Sequence, residues 1–298
     1  MTCRVQRRQA TPRNELTRGV RGRAGRPRTG PEYDRLRDRD RPPNPPSERR
    51  LEGCVNELAQ RAIVAHGGMA LWEGADEITV ELSAGGLAFA TKLQGSAVRA
   101  TNVRISTRTQ HVVFEEFPLE GRRGILEPDG SVRIETNGGE VLQSRASPRA
   151  AFADMRHRLW WDRLDMLYFA TYAIWTYIAT PFVFAQDGYE LSAAGPWTED
   201  GEKWERLSVR FPPSVQTHSP EQVFYIDERG LIRRHDYTAE PLASWAKAAH
   251  YCMDHETFDG LVVPTRRRVY PRRPDNQRRP HPRLVWIDIP AAAVVGSA

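Results

Sequence analysis

The chain is poor in cysteine and almost without lysine. Its three cysteines, Cys3, Cys54 and Cys252, are odd in number, far apart and in no metal-ligand spacing. That excludes a disulfide scaffold and predicts reduced thiols. Three lysines stand against 40 arginines, the bias that a GC-rich coding sequence gives. No Gly-x-Gly-x-x-Gly or Walker pattern is present to cradle a phosphate, no Gly-x-Ser-x-Gly to present a nucleophile, and no His-x-His or His-Glu-x-x-His to hold a metal. No cofactor is expected. An evenly basic surface is lacking too. The net charge of +5 is concentrated in residues 1–50, where 15 arginines face six acidic residues for a net of +9, while residues 51–298 carry −4. The folded part gives no argument for a polyanion partner, and no specific nucleic acid is expected.

Residues 1–50 show neither a helical nor a strand period and hold seven prolines, four of them in Pro42-Pro43-Asn44-Pro45-Pro46. Such a stretch buries too little to offset the entropy of ordering it, so it reads as a disordered Arg/Pro-rich tail. It is either a solvated segment translated from an early start codon or a basic arm for anionic lipid or nucleic acid. No apolar h-region follows the twin arginine Arg7-Arg8, and Leu51-Glu52-Gly53-Cys54 lacks the signal segment that a lipoprotein cleavage box needs. The sequence as written therefore predicts a cytoplasmic protein.

From residue 51 to 298 the pattern is that of one domain. Val55, Leu58, Ala59, Ala62, Ile63 and Ala65 mark one face of a helix over Val55–His66, stopped by Gly67-Gly68. The period then changes to 2. Glu77–Leu82 alternates strictly, and segments at Leu87–Gln94, Ala97–Thr107, His111–Phe117, Gly121–Glu127, Ser131–Glu135 and Glu140–Gln143 follow, with Asp129-Gly130 and Asn137-Gly138-Gly139 as hairpin turns. After Pro148 a short helix is predicted near Arg149–Arg158 and a long apolar one from Leu159. Strands resume at Tyr189–Ala193, Lys203–Phe211, Gln222–Asp227, Leu231–Thr238, Ala248–Phe258, Leu261–Tyr270 and Leu284–Ile289. The expected fold is mainly β: a single strongly curved antiparallel sheet or open barrel wrapping an apolar helical insertion at about 149–186.

That insertion is the most informative stretch. Met166–Gln186 has no charged side chain, and aromatics crowd it. Its length would span a membrane, but its threonines and tyrosines, the break at Pro181 and the flanking hairpins oppose that reading. Tyr168, Tyr172 and Trp175 form one helical stripe. Either the stripe packs on the sheet and fills the barrel, or helix and sheet enclose a greasy pocket for a lipid-like ligand. The candidate ligand-binding residues are Trp72, Tyr168, Phe169, Tyr172, Trp175, Phe182 and Phe184.

Three segments then resemble a known family: Ala65-His66-Gly67-Gly68 with Trp72 after it, the hairpin Phe224–Arg234 with Asp227-Glu228-Arg229-Gly230-Leu231 at its turn, and Phe258-Asp259-Gly260-Leu261-Val262-Val263-Pro264. Around the apolar insertion, this pattern is similar to that of the LolA/LolB-like bacterial lipoprotein carriers. The resemblance implies an unclosed antiparallel barrel around a helical lid, with acyl chains held in the apolar cavity between them. It also implies a place in the cell envelope, with possible contact to a membrane surface. Where the family has short lid helices, this chain has a longer aromatic segment, and no individual family residue is carried over.

Two further clusters carry candidate chemistry. His235-Asp236 ends one strand, and His250 and Asp254 share a face of the next by their even spacing, with His255 opposite. They could form a metal or general-base site. In Arg266-Arg267-Arg268 the outer two face one way and Arg267 the other, a pattern that suits a charged sheet edge. The expectation is non-enzymatic carriage of a hydrophobic small molecule or acyl lipid. The alternatives are a hydrolase or metal enzyme on those histidine strands, and an interaction protein with a filled barrel.

Overall fold

Ile78, Val80, Leu82 and Ala84 alternate with more exposed residues and are all buried, which fixes the inner face of the first strand. The same period, repeated, builds a sheet of thirteen antiparallel strands. The computed structural model describes residues 46–95, 98–154 and 156–296. The strands are β1 (Ala75–Gly85), β2 (Val98–Ser106), β3 (Val112–Glu115), β4 (Arg122–Leu126), β5 (Val132–Thr136), β6 (Val141–Arg145), β7 (Glu190–Glu199), β8 (Glu202–Arg210), β9 (Glu221–Ile226), β10 (Ile232–Thr238), β11 (Lys247–Phe258), β12 (Leu261–Pro271) and β13 (Val285–Gly296). Consecutive strands are hydrogen-bonded neighbours except β6 and β7, which are the two edges, and β1 pairs with β13 in the middle. The sheet is curved and unclosed, the architecture expected from the sequence.

The chain has two compact units, Met1–Cys54 and Val55–Ala298. Of the first, the described part is the start of α1 (Pro46–Ala65). The disordered tail read over Met1–Arg50 therefore lies outside the described residues up to residue 45, and Pro46–Arg50 are helical. A proline is tolerated in the first turn, where its missing N–H has no intrahelical partner. In the second unit α2 (Met69–Gly74) precedes β1 and α3 (Leu87–Ala90) follows it. Leu87–Gln94, expected as a strand, is thus a helical turn. Its Leu-Ala-Phe-Ala core lacks the β-branched residues that favour a pleat, and Leu284 O accepts from Ala88 N at 3.0 Å.

Between the two edges the chain carries α4 (Pro148–Ala151), α5 (Arg156–Leu159), α6 (Arg163–Ala179) and a 3-10 turn at Phe182–Ala185. The helix predicted near Arg149–Arg158 is two single turns, and the long helix starts at Arg163 instead of Leu159. Its start is set by a capping box: Asp162 accepts from Asp165 N at 2.9 Å, and Asp165 accepts from Asp162 N at 3.0 Å. Arg145, the last residue of β6, pairs with both carboxylates and pins this end of α6 to the sheet edge. No helix among the described residues is long and apolar enough to cross a membrane.

The three motifs that carried the family resemblance meet at the end of α1. Gly230, in the β9–β10 turn, lies where an added Cβ would stand 2.6 Å from Arg61 O and 2.9 Å from Ala65 Cβ. Gly67 faces the β11–β12 turn, its absent Cβ 2.7 Å from Gly260 O, and Val262 N donates to His66 O at 3.1 Å. The motifs are a docking device: side-chain-free turns let the helix end sit on two hairpins. Gly230→Ala, at φ +88°, combines a strained backbone with a clash against main chain. It is expected to lower stability by about 2–3 kcal/mol, several degrees in Tm for a domain of this size. Gly139→Ala, at φ +89° with open space around it, is expected to cost less than half as much. Equal losses in thermal unfolding would contradict the docking account.

Candidate functional site

α6 is buried along almost its whole length. Its threonines are satisfied locally, so that their burial costs little: Thr171, Thr176 and Thr180, just beyond its end, each donate to the carbonyl four residues back, at 2.7–2.9 Å. The seven residues singled out in the sequence are all buried, but they do not converge on one pocket. Trp72 stacks on Phe182 with centroids 4.7 Å apart, and Phe184 packs on Phe224 of β9. Tyr168 donates to Gln216 Oε1 at 2.6 Å, and Trp175 Nε1 donates to the carbonyls of Ser106 and Thr109 in the β2–β3 connection. Phe169 and Phe182 line cavities. The other five pack against protein.

Tyr172 belongs to a polar chain that the sequence did not announce. Its hydroxyl lies 3.0 Å from His218 Nδ1, while Tyr177 OH lies 2.8 Å from His218 Nε2 and 3.1 Å from Tyr237 OH. A neutral imidazole donates from one nitrogen and accepts at the other, so this arrangement suits uncharged His218. Burial agrees, pushing His218 down to about 3 and the three tyrosines above their ordinary range. His218 stands in a connection without periodicity, so no sequence signal marked it.

His235 and Asp236 do not form a pair. Adjacent residues of a pleated strand point to opposite faces. His235 turns inward, stacks on Phe224 at 4.2 Å and bonds Gln222. Asp236 turns to the other face and holds Arg234 by two bonds, at 2.7 and 2.9 Å. His250 sits opposite His235 in the register, fully buried, and neither ring nitrogen finds a protein partner. Asp254 is not on its face. A left-handed backbone (φ +53°) at Asp254 interrupts the alternation, so Asp254 reaches Arg266 at 2.8 Å on the surface while His255 turns toward Ile232 O. No group of three His, Cys, Asp or Glu residues fit to hold a metal occurs among the described residues.

Among the described residues, cavities lie on either side of the helix. One, of about 40 Å³, is almost wholly apolar and lies between Phe169, Ala173 and Ile174 of α6 and Leu82, Val269 and Ile287 of the sheet. The other, of about 10 Å³, is polar and is lined by His66, Tyr177, His235, Cys252 and Arg267. The first holds little more than a water and the second barely one, whereas a pocket for a small organic ligand runs to about 300–1,000 Å³. The interior as it stands is therefore closed around its own side chains. Arg267 is on β12, an inner strand and not the edge that its sequence run suggested. Arg266 and Arg268 face outward to Asp254 and Asp288, as their alternation required.

The buried histidines make stability depend on pH. Burial holds His66 at about 4 and His235 and His250 well below their ordinary value. Above pH 6.5 they are neutral in both states. Below it the unfolded chain binds protons that the folded interior refuses, so stability falls with pH, by up to ~1.4 kcal/mol per pH unit for each histidine. His250→Met removes one such group without breaking a hydrogen bond. Its Tm relative to the parent is expected to be about 4 °C or more higher at pH 5 than at pH 8. An identical difference at both pH values would contradict a neutral, unpaired His250.

No protein-family model matches the chain, and no curated protein matches its sequence. Solved structures do resemble it. A LolA superfamily protein from Nitrosomonas europaea is 9% identical, with a TM-score of 0.46 over 82% of this chain and 94% of that one. A DUF1329 family protein from Desulfovibrio piger is 16% identical, with a TM-score of 0.45 over 80% and 92% of the two chains. A domain from Vibrio parahaemolyticus described as an outer membrane lipoprotein-sorting protein is 8% identical, with a TM-score of 0.45 over 79% and 90%. The unclosed antiparallel sheet around a helix that the resemblance implied is this chain's own topology.

Proposed function

We propose that this protein binds and carries a lipid-like hydrophobic ligand in the interior between the sheet and α6, and that the α6 segment shifts to admit it. The observation that supports this most is the asymmetry of helix packing. α6 makes its main sheet contacts with β3, β4, β5 and β6, and its N-terminal end is pinned to β6 through Arg145. The apolar cavity lies on its other side, toward β1, β10, β12 and β13. A helix held on one flank and gapped on the other can widen that gap without breaking the sheet. The walls so exposed are aliphatic and aromatic, so an apolar chain entering the gap restores the burial that α6 gives up, at about 25 cal/mol per Å². Trp72, Tyr168, Phe169, Tyr172, Trp175, Phe182 and Phe184 then serve as ligand contacts once the segment has moved. The expected partner is an acyl lipid or another hydrophobic small molecule.

Titration of the purified chain with 11-(dansylamino)undecanoic acid tests this reading. Saturable one-to-one enhancement of the dansyl emission is expected, with a Kd in the micromolar range, about −8 kcal/mol. Ala173→Trp places an indole in the gap and is expected to weaken binding at least tenfold while leaving the β-sheet circular dichroism intact. A parent protein without saturable enhancement, or a folded Ala173→Trp that binds as the parent does, would contradict the proposal.

A further inference from the structure

Two arginines, Arg234 on β10 and Arg267 on β12, are both buried but in opposite circumstances. Arg234 is fully buried on the face away from α6 and is completely compensated. Asp236 takes two of its bonds and Glu199 a third at 2.7 Å, and the ring of Tyr225 lies 4.6 Å beneath its guanidinium. Arg267 is 4% exposed and faces the interior. Its Nη2 donates to Tyr177 O of α6 at 3.0 Å, the ring of Tyr177 lies 5.0 Å from its guanidinium, its Nη1 reaches Cys252 Sγ at 3.4 Å, and its Nε finds no acceptor among the described residues. No carboxylate lines the cavity beside it. The ring nitrogens of His250 are also without protein partners, and His235, opposite, adds no negative charge. The fold can neutralise a buried arginine, as Arg234 shows, and at Arg267 it does not.

A guanidinium is always charged in proteins and presents a planar fork that matches an oxyacid. Held in a dry interior without an anion, it is an incomplete ion pair. The main-chain carbonyl of Tyr177 occupies the place of one ligand oxygen, and that carbonyl belongs to the segment proposed to move. The geometry points to Arg267 as the residue that pairs with the anionic head group, a carboxylate or a phosphate, of an amphiphile whose apolar chain fills the gap beside α6. The inference rests on the proposed ligand-binding interior. His235 lines the same cavity as Arg267, with His250 opposite it in the register, while Phe169, Ala173 and Val269 line the apolar gap that takes the chain.

Competition against the dansyl probe with the full chain separates the two claims. Palmitate is expected to displace the probe at least tenfold more effectively than methyl palmitate, which has the same chain and no charge. In Arg267→Met that ratio is expected to collapse to within twofold. Comparing palmitate with 1-palmitoyl lysophosphatidate identifies the source: the tighter of the two assigns a carboxylate or a phosphate to Arg267. If palmitate and methyl palmitate displace the probe equally from the parent protein, the head-group site is overturned while the apolar interior stands. If neither displaces it, both readings fall. The parent comparison decides the matter even should Arg267→Met not fold, and a folded Arg267→Met that keeps the parent ratio also overturns the assignment.

Discussion

A curved antiparallel sheet with two unpaired edges has to cover its inner face, and here one helix does so. The strands run outward from β1 to β6, the chain leaves the sheet, and the strands return from β7 to β13 beside β1. The connection between the edges enters the concave side, where Trp72 and Phe89 meet it. It is therefore the stretch from which charge is missing, and the one whose helix is buried almost all round. The capping box and Arg145 fix where that helix begins, and Pro181 ends it. Hydrophobic burial fills the interior without making it uniform: the helix sits close to β3–β6 and leaves its gap toward β1, β12 and β13.

Much of this was legible because it is local. Strict alternation gave the strands, positive-φ glycines such as Gly130 and Gly230 gave the turns, and the uncharged run gave the buried helix. Leu87–Gln94 misled because two apolar positions two apart suit a strand or a single helical turn equally, and only contact with Leu284 decides between them. That His235 and Asp236 turn to opposite faces was already visible in the sequence, since neighbours on a strand cannot share one. The left-handed turn at Asp254 was not visible, because no glycine marks it. Arg267 was readable in principle: Leu261, Val263 and Val269 of the same strand are inward, and alternation places Arg267 with them. The His218 chain was not, since its partners are assembled from α6, β10 and an aperiodic connection.

The two faces of the sheet use polar groups differently. The face away from α6 closes its charges on one another, through Arg234, Asp236, Glu199 and the rings of Tyr225 and Tyr251. A satisfied network of this kind rigidifies the strands it joins. The inner face joins His218 to Tyr172 and Tyr177 and carries Arg267, which no carboxylate pairs with among the described residues. One face of the sheet is thus closed on its own charges, and the other is the face on which ligand binding is proposed. That division fits a carrier, which needs a stable wall and an interior able to exchange its own packing for a ligand's.

The central claim is that the interior exchanges α6 packing for an amphiphile. Organic extraction and mass spectrometry of the purified protein, alongside native mass spectrometry of the same preparation, address it most directly. The account expects a co-purifying species at near one-to-one ratio, with a long apolar chain and one acidic head group, whose mass is also seen bound to the intact protein. A preparation that yields no such species, and whose native mass stays that of the chain alone after incubation with palmitate and lysophosphatidate, would contradict it and leave the interior as a core filled by its own side chains.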